Sequence, residues 1–130
     1  MPTFGARSRA QLDTCDPRLI EICERVIKTY DFTVLEGHRS NERQDELFRQ
    51  GKSKLTAGQS RHNHSPSLAV DIAPYPIDWN EVRRFYFLQG MIKQAAADLG
   101  VEIRQGCDWD GDGNYDDQTF HDLPHLEIVT

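Results

Sequence analysis

Two stretches of the 130-residue chain concentrate groups able to hold a metal or move a proton. The first runs Ser60-Arg61-His62-Asn63-His64-Ser65-Pro66-Ser67-Leu68-Ala69-Val70-Asp71; the second is Asp122-Leu123-Pro124-His125-Leu126-Glu127. Asp71 is a charge within an apolar alternation, and a buried carboxylate is costly unless it is paired or binds a metal. A histidine lies just upstream, where a loop enters that alternation, and His125 opens the last apolar stretch. Two imidazoles and one carboxylate are a usual catalytic zinc set. They leave a fourth position for water, whose pKa falls to about 7. Asp122, three residues before His125 with Pro124 holding the turn, could aim a carboxylate at that water without ligating the metal. Arg39, in Gly37-His38-Arg39-Ser40, is the candidate donor to an oxyanion. The same residues have plainer readings: a solvated loop histidine, an Asp71–arginine salt bridge, and a hydrogen-bonded core His125.

The elements that must position these groups follow from periodicity and punctuation. Asp16-Pro17 reads as an N-cap with proline at the first helical position, and apolar residues at helical spacing carry that helix to about Tyr30. Ser8 with Gln11 is a candidate capping box in an ambiguous stretch before it. Phe32 to Glu36 is a short strand closed by Gly37. Ser40 caps a helix through Gln50, with Leu47 and Phe48 inward and Gly51 as the stop. Residues 52–66 read as a loop. Ser67 to Ala73 alternates, with Leu68, Val70 and Ile72 on one side and Ala69 and Asp71 on the other. Asp78 and Glu81 form a plausible capping box for a helix to about Leu99, which Gly100 ends. Val101 to Arg104 is a strand, residues 106–122 are loop, and Pro124 to Val129 is a final strand. The result is an α+β fold, a small mixed or antiparallel sheet packed against about three helices.

Composition narrows the function. The length suits one domain over residues 1–130. Acidic residues outnumber basic ones, 21 to 15, and the net charge of -6 argues against nucleic acid as a partner. No apolar run approaches the ~20 residues of a membrane span. Arg7 and Arg9 have no apolar stretch behind them, so no secretory signal is read in residues 1–10. Cys15, Cys23 and Cys107 lack metal-type spacing and read as buried, reduced thiols.

Ser-Arg-His (60–62) followed by Ala-Val-Asp (69–71), with a distal Asp-x-x-His-x-Glu (122–127), resembles the D-alanyl-D-alanine metallopeptidase family. That family includes vancomycin-resistance peptidases and shares its fold with hedgehog domains. The resemblance is nearest to phage endolysins of the L-alanyl-D-glutamate endopeptidase branch. It extends through Gly37, Arg39 and Ser40, Gly51-Lys52-Ser53, Ala69 to Pro74, Ile77-Asp78-Trp79 and Asp108-Trp109. It implies a zinc peptidase in which His62, Asp71 and His125 hold the ion. Asp122 would be general base and acid, Arg39 would bind the polarised carbonyl, and Ser60 would support the site through a hydrogen bond. The compact family pattern places its Asp seven residues after the His, which His64 satisfies; the Ser-x-His context favours His62, and His64 is the alternative. The implied role is cleavage of the peptidoglycan stem peptide at L-Ala-D-Glu during phage-mediated host lysis. The enzyme would be a monomer made in the host cytoplasm, reaching the wall from the periplasm with the help of a holin. A D-Ala-D-Ala carboxypeptidase on the same scaffold, or a non-catalytic zinc-stabilised binding module, are the competing functions.

Asp108, Asp110 and Asp112 before Gly113 copy the first half of an EF-hand loop, a candidate calcium site. The twelfth position is Thr119 rather than Glu, leaving Asn114, Asp116 or Asp117 to complete it. The resemblance adds that some related endolysins use calcium here as a switch. His121 reads as a loop histidine, because Pro124 prevents a helical pair with His125. His38 reads as solvated. Trp109 and Tyr115 are candidates to flank a substrate peptide, and Trp79, Phe85, Phe87 and Leu88 are expected in the core.

Overall fold

A computed structural model of the chain describes residues 1–114 and 116–130. Pro17–Ile27 forms a helix (α2) because its Leu19, Ile22, Cys23, Val26 and Ile27 recur on one buried face. Asp16 caps it by accepting from the Arg18 backbone N–H at 2.9 Å. A helix at Ala6–Leu12 (α1) precedes it and lies on the first strand, Phe32–Glu36 (β1). Asn41–Arg49 (α3) follows, capped by the Ser40 hydroxyl. After a 3-10 turn at Arg61–Asn63 come strand Ala69–Pro74 (β2), helix Val82–Asp98 (α4), strand Ile103–Gln105 (β3) and strand His125–Ile128 (β4).

Among the described residues the strands form one antiparallel sheet in the order β1-β2-β4-β3. Helix α4 packs on the sheet and against α2. Side chains alternate along each strand, so the sheet has two characters. Val70 and Ile72 of β2, with Leu126 and Ile128 of β4, enter the apolar core with α2 and α4. Asp71, His125 and Glu127 therefore face the other way, into a cleft. The register sets Asp71 directly opposite His125 and Ala69 opposite Glu127.

One irregularity serves the cleft. Strict alternation after Phe32 and Val34 would send Glu36 into the core. The register instead shifts between Val34 and Glu36, so that Glu36 rather than Leu35 opposes Asp71. Such a bulge turns the chain by one residue and puts Glu36 on the cleft wall.

Several local expectations are corrected. Ser8 caps nothing: it lies inside α1, and its hydroxyl accepts the Val34 N–H at 3.1 Å. With that helix the described residues form four α-helices beside the sheet, in keeping with the α+β reading. Asp78 and Glu81 form no capping box; the Asp78 side chain accepts from the Asn80 N–H instead. Phe48 is exposed, and α3 buries Gln44. Phe85, Leu88 and Ile92 share the inward stripe of α4, which leaves Phe87 60% exposed on the opposite face. Trp79 precedes the helix and stacks on Phe85 from outside, 56% exposed.

Candidate active site

The site is centred on one oxygen. Asp71 Oδ1 lies 3.3 Å from His62 Nε2 and 3.2 Å from His125 Nδ1. Ligand atoms of the three residues all fall within 4.8 Å of one another. Ligands about 2.0–2.1 Å from a tetrahedral zinc stand about 3.3 Å apart, so the two separations fit neighbouring corners of such a site.

Each imidazole is oriented from behind. His62 Nδ1 donates to the Gly37 carbonyl at 2.8 Å, which frees Nε2 to face Asp71. The 3-10 turn carrying His62 is capped reciprocally: the Ser60 hydroxyl accepts the His62 N–H, and the Asn63 side chain accepts the Ser60 N–H. Gly37 has no room for a side chain, since a Cβ would overlap Thr14, the Gln11 carbonyl and Cys15. His125 uses the opposite nitrogens. Its Nε2 donates to Glu127 at 2.8 Å, leaving Nδ1 toward Asp71. His64 caps the far end of the turn, exposed and outside the cluster.

Burial works against ionisation of Asp71, but hydrogen bonds from His125 and His62 outweigh it and hold the carboxyl well below its usual range. Burial would also neutralise His125. The carboxylates of Asp71 and Glu127 prevail and push it up to about 9. Asp122 also lines the cleft; burial, then the charge of Asp71, raises its pKa against the opposing pull of His125, His62 and Arg39. Its backbone N–H donates to Gly106, and Gly106 donates to His125. A Cβ at Gly106 would overlap Asp122, so this close pass requires glycine.

Arg39 is held at the cleft wall by Glu36, which accepts from Nε at 3.0 Å and contacts Nη2, and by Gln44, which accepts from Nη1 at 2.9 Å. Its Nη2 lies 3.9 Å from Asp71 Oδ2. The cleft encloses about 620 Å³ and runs from Lys52 and Lys54 past the three clustered residues to Trp109 and Phe120. Trp109 stacks on Phe120 and lies 5.7 Å from the His125 ring. Tyr115, its suggested partner in flanking substrate, lies outside the described residues.

The acidic loop forms a second cluster. Carboxylate oxygens of Asp108, Asp110, Asp112 and Asp117 fall within 4.8 Å of one another. Asp108 is buried; its Oδ2 accepts the Gly113 N–H at 2.8 Å, whereas Oδ1 has no hydrogen-bond partner among the described residues. The neighbouring Asp112 carboxylate pushes Asp117 up to about 6. His121 stands apart, near the Tyr86 hydroxyl at 3.1 Å, and His38 is exposed. All three cysteines are free and buried, and burial raises their pKa, to about 11 for Cys15 and Cys107, so they are poor nucleophiles.

A family model for phage L-alanyl-D-glutamate peptidase matches residues 2–129. The chain belongs to that family. It is 34% identical over 134 aligned positions to the L-alanyl-D-glutamate peptidase of Escherichia phage T5, covering 97% of each chain. It is 32% identical to the peptidoglycan L-alanyl-D-glutamate endopeptidase CwlK of Bacillus subtilis (strain 168), over 78% of this chain and 63% of that protein. Its fold matches the crystal structure of the Serratia marcescens L-Ala D-Glu endopeptidase ChiX with a TM-score of 0.80 and 28% identity. That match covers 97% of this chain and 89% of the other.

Two residues that hold Arg39 escaped the sequence reading of this family member. Glu36 depends on a bulge with no signal in the composition of β1, and the buried Gln44 looks like an ordinary polar helix position. Glu127 was read on the same strand face as His125, within the Asp-x-x-His-x-Glu motif, but was given no role. The histidine pair gives the direct test of the geometry. His62→Ala should lose zinc binding in a chelator competition assay, and His64→Ala should retain it. The reverse pattern would contradict the arrangement around Asp71.

Proposed function

We propose that the chain is a single-domain zinc peptidase that hydrolyses the L-Ala-D-Glu bond of the peptidoglycan stem peptide. The observation that carries this reading is the placement of Asp71 Oδ1 between two imidazole nitrogens at 3.3 and 3.2 Å. In its neutral form each imidazole would keep its hydrogen on the outward nitrogen, bonded to the Gly37 carbonyl or to Glu127, and so offer a lone pair inward to a metal. The relatives named above, described as L-alanyl-D-glutamate peptidases, support the choice of bond. When bound to His62, Asp71 and His125, zinc would supply a Lewis acid and a water that ionises near neutral pH.

The chain's own residues do the rest. Asp122, its pKa raised by burial and by Asp71, takes a proton from the attacking water and returns it to the leaving amine. Arg39, fixed by Glu36 and Gln44, presents positive charge to the carbonyl oxygen as it becomes negative. Ser60 acts indirectly, by capping the turn that aims His62. The biological role we assign is phage-mediated lysis. The protein would be made in the host cytoplasm as a monomer and reach the periplasmic wall through a holin lesion. No helix among the described residues is long and apolar enough to cross a membrane.

Mass spectrometry of products from purified peptidoglycan tests the reading. Peptides beginning with D-glutamate should appear without a zinc chelator and vanish with it, and Asp122→Ala should abolish them while keeping zinc. Release of D-alanine alone would make the enzyme a carboxypeptidase. No product from folded, zinc-loaded protein would leave a binding module.

We also assign calcium to the loop of Asp108, Asp110 and Asp112, with Asp117 in place of the EF-hand glutamate. Converging hard oxygens and an Asp108 Oδ1 with no partner among the described residues support it. Calorimetric titration should show calcium binding that weakens in Asp110→Asn/Asp112→Asn. No heat of binding would reduce the loop to an acidic turn.

A further inference from the structure

Glu127 has no part in the mechanism above, yet it is one of the most heavily partnered side chains of the cleft. Its side chain is 7% exposed. Oε1 lies 2.8 Å from His125 Nε2, on the side of the ring away from Asp71. Oε2 lies 3.4 Å from both Arg61 Nε and Arg104 Nη2. The two oxygens thus divide their work, one toward the histidine and one toward two guanidinium groups. A carboxylate buried this far needs such partners to stay charged.

We propose that Glu127 is a positioning residue that sets the tautomer and angle of His125 for metal binding, with Arg61 and Arg104 holding its carboxylate in place. A carboxylate in its charged form only accepts hydrogen bonds, so the hydrogen of a neutral His125 sits on Nε2. The Nδ1 lone pair then points to the space shared with Asp71 and His62. A histidine ligand backed by a carboxylate is also a stronger base toward the metal. Arg61 belongs to the same turn as His62, so Glu127 ties together the two elements that carry the histidines. Arg104 lies 5.5 Å over the Trp109 ring, which itself flanks His125, closing the support from the other side. Glu127 is not itself a ligand: the His125 ring stands between it and the cluster.

This inference rests on the reading of His62, Asp71 and His125 as a zinc site, and the experiment separates the two. Zinc affinity is measured on wild type, Glu127→Gln and Glu127→Ala by competition with a chromogenic chelator, and cobalt(II) is substituted for its visible spectrum. Wild type should bind one zinc. Glu127→Gln keeps the shape but has a single acceptor oxygen for three claimants, and should bind about tenfold more weakly; Glu127→Ala should approach the upper end of the about 10- to 100-fold range for such supports. The cobalt bands should shift in both. If the alanine variant does not fold, the near-isosteric glutamine variant decides. Affinity within twofold of wild type and an unchanged cobalt spectrum in Glu127→Gln would overturn the proposal, even if thermal stability of the metal-free protein falls. Failure of wild type to bind zinc would overturn the site and the proposal together.

Discussion

A carboxylate within a central strand of apolar neighbours must be compensated, and Asp71 is that carboxylate. Val70 and Ile72 on either side of it are fully buried in the core, so the strand cannot turn Asp71 out to bulk water without exposing them. Leaving such a charge without a partner would cost several kcal/mol. The protein meets the requirement with two imidazoles from different segments and with the more distant guanidinium of Arg39. In the metal-free protein these groups neutralise one another, His125 holding a proton between Asp71 and Glu127. A divalent cation can take over the same role. On the proposed reading, metal binding would coincide with release of a proton, and the architecture that makes Asp71 tolerable would also make it a ligand.

The two-faced sheet makes this possible at small size. Its helix-covered face supplies the apolar burial, and its other face is left to polar chemistry. Tight passes fix the loops that complete the cleft. Gly37 lets the end of β1 press against α1 while its carbonyl orients His62, and Gly106 lets the acidic loop return beside Asp122. Buried amides knit the next layer: Gln105 donates to Gln89, and Gln89 donates to the Leu123 carbonyl, linking α4 to the segment that carries Asp122.

The parts of this arrangement legible in the sequence are those with a short-range signature. Phe32–Glu36 and the alternation around Asp71 were readable because apolar residues repeat every second position, and α2 because they repeat with the helical period. The preference for His62 over His64 came from the Ser-x-His context of the resemblance and not from spacing, because both lie within reach of Asp71 along the chain and the capped turn decides which ring faces inward. Glu36 was hidden by the bulge. Phe87 and Trp79 were misplaced because aromatic character does not say which side of a helix, or which end, meets the core. The Asp108–Asp112 spacing was visible, whereas the approach of Asp117 depends on how the loop closes.

X-ray absorption spectroscopy of the zinc-loaded protein tests the central claim most directly. The account predicts four nitrogen or oxygen neighbours at about 2.0–2.1 Å with the outer-shell scattering of two imidazoles. Sulfur neighbours at about 2.3 Å would place zinc on the buried cysteines, and a shell without imidazole scattering would place it among carboxylates. Either result would contradict the assignment of the ion to His62, Asp71 and His125.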